Sequence, residues 1–475
     1  MRTWSKYQLA VFDNVVNGTG HTVVNAVAGS GKTTTIEEAV SYIPAGKKTI
    51  FVAFNKPIAT ELGKRLTGKP VEVSTLHSYG LKCVSAALGR LRIDTHRVDD
   101  FCVALHGGDS KTWELRRDLA KTVSLAKGAL AGTEEAIDSL IDEFEIASAA
   151  NGNRETFVKD VLKLLEQCTD TEDGRMDFDD MIWLPIVLDL PQRKFDRVFV
   201  DETQDLNAAQ IEMTLRACKA DGRILAVGDP RQAIYQFRGA DEFAFENVKT
   251  RLAAAELRLS VCYRCCRAVI REAQTIVPDI EAAPDAEEGE VRGASFAEMR
   301  AGAQPGDFIL SRTNAPLISL CMAFLMEGRR ANIQGRDVGA RLAAFVKKSK
   351  AKTIESLRNY VETWSAKECD RLAAKRRSTQ AVEDQAACIL ALSEGALEVS
   401  DVLNRIESLF ADTNDANKIT LSTTHKAKGL ERDRVWLLDA TYCRRPGVEE
   451  QNLRYVGLTR ARKTLVLVED LGRGE

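Results

Sequence analysis

A glycine-rich turn carries the clearest chemistry in this sequence. Residues 22–25 form an apolar run that leads into Ala26-Val27-Ala28-Gly29-Ser30-Gly31-Lys32-Thr33-Thr34, and residues 36–40 then have helical character. Glycines let successive backbone N–H groups converge on phosphate oxygens, the lysine reaches the β- and γ-phosphates, and the next hydroxyl ligates Mg²⁺. Residues 28–34 therefore predict a cradle for a nucleoside triphosphate, with Lys32 on the phosphates and Thr33 on Mg²⁺.

Two adjacent carboxylates follow a second apolar run, in Phe199-Val200-Asp201-Glu202-Thr203-Gln204-Asp205. In enzymes with a phosphate loop, an acid at the tip of a neighbouring strand holds Mg²⁺. The next carboxylate can polarise the attacking water, because a general base must reach the proton that it takes. We therefore predict Asp201 as a metal ligand and Glu202 as the catalytic base.

A third segment, residues 226–241, combines an amide, aromatic rings and cations. Gln232 stands where an amide at a strand end could sense the γ-phosphate. Tyr235, Phe237 and Arg238 place aromatics beside a cation, the combination that stacks and clamps single-stranded bases. The alternative is that Tyr235 and Phe237 are core residues, although the polar residues around them, Arg231, Gln232 and Arg238, argue against full burial.

The elements that must position these residues alternate between strand and helix, as in an α/β protein. Apolar runs at residues 22–26, 49–54 and 71–74 each lead into a helical pattern, which is typical of a parallel sheet. Further strands are predicted at 197–201 and 223–228, and again at 308–310, 419–421, 435–438 and 464–468. Residues 90–170 are helical in period with no clear strand, and residues 340–414 are a second helical segment. The acidic stretch 278–290 is predicted to be an exposed loop at a boundary.

Composition and charge narrow the class of protein. The 475 residues suggest about three folding units, and the net charge of −3 does not by itself mark a nucleic-acid binder. Residues 341–377, however, hold eleven Lys/Arg against four Asp/Glu. This run fits a solvated helical face or, alternatively, a surface that contacts phosphates. The sequence has eleven scattered cysteines, no secretory signal and no long apolar run. These features predict a protein of the reducing cytoplasm that does not enter a membrane.

The order of these segments, with further ones along the chain, resembles the superfamily 1 helicases of the UvrD/Rep/PcrA type, and some segments are similar to F-box DNA helicases. The further segments are Leu259-Ser260-Val261-Cys262-Tyr263-Arg264-Cys265, Thr423-Thr424-His425-Lys426-Ala427-Lys428-Gly429-Leu430-Glu431, Leu453-Arg454-Tyr455-Val456-Gly457-Leu458-Thr459-Arg460-Ala461, Asn55-Lys56, Thr75-Leu76-His77-Ser78 and Asp177-Phe178-Asp179-Asp180. The ordered set spans the chain from Gln8 to Arg460 and is far more specific than any one motif.

The resemblance implies an α/β architecture of two RecA-like parallel-sheet motor domains, each with a mainly helical insertion. The first domain would comprise residues 1–89 and 171–255, with its insertion at 90–170. The second would comprise residues 256–339 and 415–475, with a shortened, basic insertion at 340–414.

It also implies a role for each matching residue. Around ATP, Gln8 would read adenine, Tyr263 would stack on it and Glu431 would contact ribose. Gln232, Arg264 and Arg460 would act at the γ-phosphate, Arg460 as an arginine finger. On DNA, the resemblance points to Asn55, Lys56, Thr75, His77 and His425.

The activity that the resemblance implies is ATP-dependent DNA unwinding coupled to Mg²⁺. The chain would hydrolyse ATP between its two domains and move 3′→5′ on single-stranded or tailed duplex DNA. It would act as a monomer, with replication or repair proteins as partners, in the nucleoid or in a host cytoplasm. Three features depart from the family: Ala53 replaces a DNA-stacking phenylalanine, Thr34 replaces an arginine, and the second insertion is short.

Three alternatives stay open at this point. The chain could be a translocase that strips proteins from single strands with little unwinding. It could be an ATP switch that holds a partner, although the complete set of Glu202, Gln232, Arg264 and Arg460 favours catalysis. The substrate could also be RNA, because stacking alone does not exclude the 2′-hydroxyl.

Overall fold

The computed structural model describes residues 3–53, 55–146, 148–149, 153–234, 243–374, 379–410, 417–442 and 447–471. The chain divides into two compact units, Met1–Ser260 and Val261–Glu475. Among the described residues, no helix is long and apolar enough to cross a membrane.

The first unit contains a parallel sheet and a group of helices. Its elements are α1 (Lys6–Asn17), β1 (Thr22–Ala26), α2 (Lys32–Ala39), β2 (Thr49–Ala53), α3 (Lys56–Arg65), β3 (Glu72–Thr75), α4 (Leu76–Leu88), β4 (Arg92–Ile93), α5 (Arg97–His106), α6 (Trp113–Ala129), α7 (Glu134–Glu143), α8 (Arg154–Thr169), β5 (Arg175–Met176), α9 (Asp180–Val187), β6 (Phe195–Val200), α10 (Ala208–Ala217), β7 (Cys218–Gly228), α11 (Ala244–Arg251) and β8 (Ala255–Leu259).

The described strands of this sheet lie in the order β3-β2-β6-β7-β1-β8, and every neighbouring pair is parallel. Strand β2 is wholly buried, β1 is buried at all but one position, and β6 is buried at Phe195 and at residues 198–200. Successive apolar residues of these strands belong alternately to two separate cores, which explains the apolar runs in their sequences. Since β7 lies between β1 and β6, the carboxyl ends of these three strands meet at one edge. The prediction of strands at 22–26, 197–201 and 223–228 is confirmed to within a few residues.

Helices α5 to α8 pack together with α4 and α9 around a core of their own, which includes Leu119, Val123, Ile137, Val161 and Leu164. The expectation of no strand in 90–170 is wrong in one detail. Arg92–Ile93 pairs in parallel with Arg175–Met176. A strand of two residues is too short to leave a periodic signal.

The second unit repeats the α/β arrangement. Its elements are β9 (Val261–Cys262), α12 (Arg267–Ala273), β10 (Glu281–Ala282), β11 (Glu290–Ala294), α13 (Phe296–Gly302), β12 (Phe308–Ser311), α14 (Ala315–Met326), β13 (Ala331–Ile333), α15 (Arg336–Ser349), α16 (Ile354–Ala374), α17 (Gln380–Ser393), α18 (Val399–Leu409), β14 (Ile419–Thr423), α19 (Thr424–Ala427), β15 (Arg432–Leu437), α20 (Val448–Leu458) and β16 (Ala461–Val468).

Its described sheet has the order β11-β16-β15-β12-β14-β13, again with parallel pairs throughout. The predicted fold class, two parallel α/β sheets, is therefore confirmed. The expectation of an exposed loop at 278–290 is wrong in part, because Ile280 and Ala283 are buried and β10 pairs with β9. In the basic stretch, α15 buries Leu342 and Val346 while Lys347 and Lys348 face solvent.

A close helix contact gives a stability test of this fold. A Cβ atom at Gly80 in α4 would clash with the carbonyl oxygen of Met181 in α9. Gly80→Ala is therefore expected to destabilise the first unit by at least about 1–3 kcal/mol, the usual range for overpacking. A Cβ atom at Gly63 in α3 would have nothing within 4 Å of it, so Gly63→Ala should stabilise by about 0.5–1 kcal/mol. Urea unfolding checks both, and equal effects of the two changes would contradict the helix contact.

Candidate nucleotide and nucleic-acid sites

The glycine turn has the backbone conformation that a phosphate cradle requires. Gly29 and Gly31 have φ values of 67° and 75°, in the left-handed region that favours glycine. Gly31 is also the N-cap residue of α2, so the N-terminus of this helix opens onto the turn. Val27 N donates to the Leu259 carbonyl at 3.0 Å, which anchors the turn to β8. The Ser30 hydroxyl is buried and has no hydrogen-bond partner among the described residues, as expected of a group that serves a ligand.

Lys32 lies among carboxylates from neighbouring strand ends. Its Nζ is 3.2 Å from Glu202 Oε2. Burial lowers the pKa of Lys32, but the charges of Glu202, Asp229 and Asp201 outweigh burial and raise the pKa above its ordinary value. Lys32 therefore stays protonated, as a phosphate-binding ammonium must be.

Asp201 and Thr33 lie together beside Lys32. The Thr33 hydroxyl donates to Asp201 Oδ2 at 3.3 Å. Burial and the neighbouring Glu202 carboxylate raise the pKa of Asp201 to about 7. A hydroxyl and a carboxylate are hard oxygen donors, which suit Mg²⁺. The two residues that the sequence predicts as metal ligands thus fit that ion.

Glu202 itself has a strained backbone. Its φ of 53° is in the left-handed region, which is uncommon for a residue with a Cβ and is found preferentially at functional sites. Its backbone N–H donates to Asp201 Oδ1 at 2.9 Å. The conformation places the two adjacent carboxylates on the same side of the strand end, towards Lys32.

An amide that the sequence analysis did not single out joins these groups. Gln204 Nε2 donates to Glu202 Oε2, and Gln204 Oε1 accepts the backbone N–H of Asp229 at 2.9 Å. Gln232, the predicted sensor, donates from Nε2 to Asp229 Oδ2 at 2.7 Å. Asp229 follows β7 directly, as Asp201 follows β6, so the rule that found Asp201 could have found Asp229 as well.

Gln8 lies against the glycine turn but is tied to protein groups. Its Nε2 donates to Thr35 Oγ1 at 3.1 Å, and its Oε1 accepts from the backbone N–H of Ser5 at 3.0 Å in a capping box at the start of α1. Gln8 therefore fixes α1 against α2. Its role in adenine recognition stays a prediction.

In the second unit, the structure brings together two residues predicted for nucleotide chemistry. Arg264 Nε donates to Glu431 Oε2, and Arg264 Nη1 donates to the Thr459 carbonyl at 3.4 Å. Tyr263, the predicted adenine-stacking ring, is 45% exposed.

Arg460 lies inside the second unit. Its Nε donates to the Val456 carbonyl at 2.8 Å, Nη1 donates to the Leu430 carbonyl at 3.1 Å, and Nη2 donates to Thr459 Oγ1 at 3.2 Å. Burial and the charge of Arg264 lower the pKa of Arg460 to about 10. Its role as an arginine finger stays a prediction, and three of its N–H donors are used within the unit.

Two of the residues predicted to contact DNA also cap helices. Asn55 Oδ1 accepts from Ile58 N at the start of α3, and Thr75 Oγ1 accepts from Ser78 N at the start of α4. Lys56 is exposed, and His425 lies on the short helix α19. Tyr235, Phe237 and Arg238 lie outside the described residues.

A stack of two aromatic rings lies beside the Thr75 cap. The ring of His77 stacks on that of Phe178 with centroids 4.1 Å apart and an interplanar angle of 26°. Burial lowers the pKa of His77 to about 4, so the imidazole is neutral at physiological pH. Phe178 is 52% exposed, which is high for phenylalanine. We call this pair the aromatic platform. Its signal in the sequence is a lone phenylalanine among three aspartates.

Comparison with protein families agrees with this geometry. The family model for the UvrD/REP helicase N-terminal domain matches residues 10–253, and that for the UvrD-like helicase C-terminal domain matches residues 309–470. The chain belongs to the UvrD/Rep helicase family. Both sheets are thus those of RecA-like helicase domains, as the resemblance implied.

Individual members of the UvrD/Rep family show how much of a helicase the chain represents. It is 28% identical to the ATP-dependent DNA helicase PcrA of Bacillus subtilis over 295 residues, which are 54% of this chain and 37% of that protein. It is 28% identical to the ATP-dependent DNA helicase Rep of Salmonella typhimurium over 256 residues, 47% of this chain and 36% of that protein. The matched segments are therefore less than two fifths of these relatives.

The raised pKa of Asp201 predicts a pH-dependent stability penalty. Between pH 4 and 7 the folded chain holds a proton that the unfolded chain releases, so this group lowers the stability of the fold as the pH rises through that range. Asp201→Asn removes the penalty. The variant should be more stable than wild type at pH 8, and the difference should disappear near pH 4, as measured by urea unfolding.

Asp196 is a control of opposite sign. Its hydrogen bonds with Lys219 and the Lys48 backbone lower its pKa, so Asp196→Asn should be less stable than wild type at pH 8, with a difference that fades in acid. A destabilised Asp201→Asn at pH 8 would contradict the raised pKa of Asp201.

Proposed function

We propose that this chain is an ATP-dependent DNA motor that hydrolyses ATP, moves 3′→5′ along single-stranded DNA and unwinds duplex DNA. The observation that carries the proposal is the cluster of Lys32, Thr33, Asp201 and Glu202 at one sheet edge, in a chain of the UvrD/Rep family. The relatives named above are ATP-dependent DNA helicases. The 3′→5′ direction rests on the family resemblance.

In this proposal, the side chains of the first unit divide the chemistry. Lys32 and the backbone of residues 28–31 bind the phosphates, and Ser30 supplies a hydroxyl to them. Thr33 and Asp201 would hold Mg²⁺, which neutralises charge on the phosphate oxygens when bound. Glu202 takes a proton from water, and Gln204 and Gln232 orient the carboxylates around it. Gln8 contributes to the adenine site.

The second unit would contribute Tyr263 and Glu431 to the nucleoside, and Arg264 and Arg460 to the charge on the phosphoryl group. Arginine at that position is worth about 10³–10⁵ in rate where it has been measured in NTPases. Arg264 must leave Glu431 to act there, and Arg460 must turn from main-chain carbonyls. We therefore expect ATP to compete with these bonds.

For DNA, we propose that the aromatic platform stacks on bases while nearby polar side chains contact phosphates. Support comes from the exposed ring of Phe178 and from its stacking on the ring of His77, which belongs to the Thr75-Leu76-His77-Ser78 segment. Asn55, Lys56, Thr75 and His425 would add polar contacts, and Tyr235, Phe237 and Arg238 would add a further stack. Such contacts are independent of sequence and sensitive to salt.

Three further points belong to the same proposal. We propose the domain limits given from the sequence, with insertions at 90–170 and 340–414, and a basic face on the second insertion that contacts phosphates. The active form would be a monomer on single-stranded or tailed duplex DNA. Replication or repair proteins would be its partners, in the cytoplasm or nucleoid.

Hydrolysis by the proposed site is tested by steady-state ATPase activity with and without single-stranded DNA. We expect strong stimulation by DNA, a kcat lower by about 10²–10⁴-fold in Glu202→Gln because the general base is lost, and no activity in Lys32→Ala. Lys47→Ala, which changes an exposed lysine outside the turn, should behave like wild type. A rate that DNA leaves unchanged but RNA raises would indicate an RNA motor, and a rate that neither affects would indicate an ATP switch.

Direction of movement is tested with duplexes that carry a 3′ or a 5′ single-stranded tail. We expect strand separation only with the 3′ tail, because a motor that moves 3′→5′ must load there. Displacement of streptavidin from biotinylated single strands provides the comparison. Displacement without strand separation would identify a translocase that strips proteins, and separation only with the 5′ tail would overturn the direction.

A further inference from the structure

Phe178, one ring of the aromatic platform, lies in the segment 177–180, whose three carboxylates all contact helix α6. Phe178 lies between Asp177 and the pair Asp179-Asp180, and Asp180 is fully buried. Asp177 N donates to Asp180 Oδ2 and Asp180 N donates to Asp177 Oδ1, both at 2.8 Å. These reciprocal bonds close the segment into a tight turn with the phenyl ring on its outer side.

Helix α6 supplies the partners of these carboxylates. Lys127 is buried, and its Nζ lies 2.5 Å from Asp177 Oδ2 and 2.7 Å from Asp180 Oδ1. Ser124 is one turn earlier on α6 and donates to Asp179 Oδ2 at 2.5 Å. Lys127 also lies over the ring of Trp183 at 5.4 Å from its centroid.

A second cation comes from α5. Arg97 is fully buried, and its Nη1 lies 3.0 Å from Asp180 Oδ2 and 3.2 Å from the Cys168 carbonyl. The segment is therefore held from two helices of the helical group, while the half-exposed Phe178 ring packs on His77.

A buried ion pair is weak support for stability, because desolvation of both charges offsets their attraction. What such a pair does well is to fix the geometry of the groups it joins. Base stacking depends on the orientation of the ring, so a turn held in one conformation favours stacking by the ring that it carries.

We propose that Lys127 is a positioning residue for the nucleic-acid site: through Asp177 and Asp180 it sets the orientation in which Phe178 meets a base. The inference rests on the proposed DNA-motor function. The helices within residues 97–169 would then contribute to DNA binding by fixing Phe178, and they need not contact DNA themselves.

The test uses the full chain and a single-stranded oligothymidylate with one 2-aminopurine, whose fluorescence changes when its base stacks on an aromatic ring. Four proteins form a double-mutant cycle: wild type, Lys127→Met, Phe178→Ala and the double variant. Methionine has nearly the length of lysine without its charge. Thermal melting checks folding, and Lys127→Met/Asp177→Asn replaces Lys127→Met if the single change fails to fold.

Phe178→Ala should weaken binding about 5- to 150-fold, the equivalent of stacking worth 1–3 kcal/mol per base. Lys127→Met should weaken it by a similar factor and abolish the fluorescence change at saturating protein. In the Phe178→Ala background, Lys127→Met should have little further effect. The KM for ATP without DNA should not change.

Arg154→Met is the matched control, since Arg154 pairs with Asp138 and Asp142 within the helical group, away from residues 177–180. It should bind the probe like wild type. Additive losses in the cycle, or a normal fluorescence change in Lys127→Met, would overturn the inference while leaving the DNA motor intact. Failure of the wild type to bind the probe would overturn both.

Discussion

The constraint on which the structure depends is the placement of one ammonium, that of Lys32, among three carboxylates, of which Asp201 and Asp229 are buried and Glu202 is partly exposed. Glu202, Asp201 and Asp229 all shift the pKa of Lys32 upward, and burial and mutual repulsion raise that of Asp201. The negative charges of these carboxylates repel one another, so the fold has to hold them together. The strand order does so, because β7 lies between β6 and β1 and brings three loops to one edge.

The glycine turn could be recognised from the sequence because its parts are local. The glycine turn, the strand before it and the helix after it occupy fewer than twenty consecutive residues, and their spacing defines the backbone conformation directly. The two parallel sheets were predictable for a related reason: buried central strands read as continuous apolar runs. Strand β8 was not predicted because Ala-Glu-Leu-Arg-Leu contains no continuous apolar run, although its alternation of polar and apolar residues is typical of a half-exposed edge strand.

Pairings between distant residues could not be predicted in this way. Arg264 and Glu431 are 167 positions apart, and each was assigned to a nucleotide contact from its own motif. Their contact depends on the fold of the second unit, which brings the end of β9 to the start of β15. The same holds for Gln204, whose amide reaches both Glu202 and the backbone of Asp229. A motif predicts which residue types are present, and only the fold determines which of them share a hydrogen bond.

Lys32 and Lys127 have similar surroundings at two places in the first unit. Each is a buried ammonium bound by carboxylates, and for each those carboxylates raise the pKa against the effect of burial. Such clusters contribute little to stability, and at Glu202 the backbone is strained as well. Both clusters fix the orientation of a group. The first directs the Lys32 ammonium towards the glycine turn, and the second fixes the turn that carries Phe178. In the DNA motor that we propose, the two clusters would thus hold rigid the nucleotide turn and the ring that stacks on a base, the two sites whose states the motor has to couple.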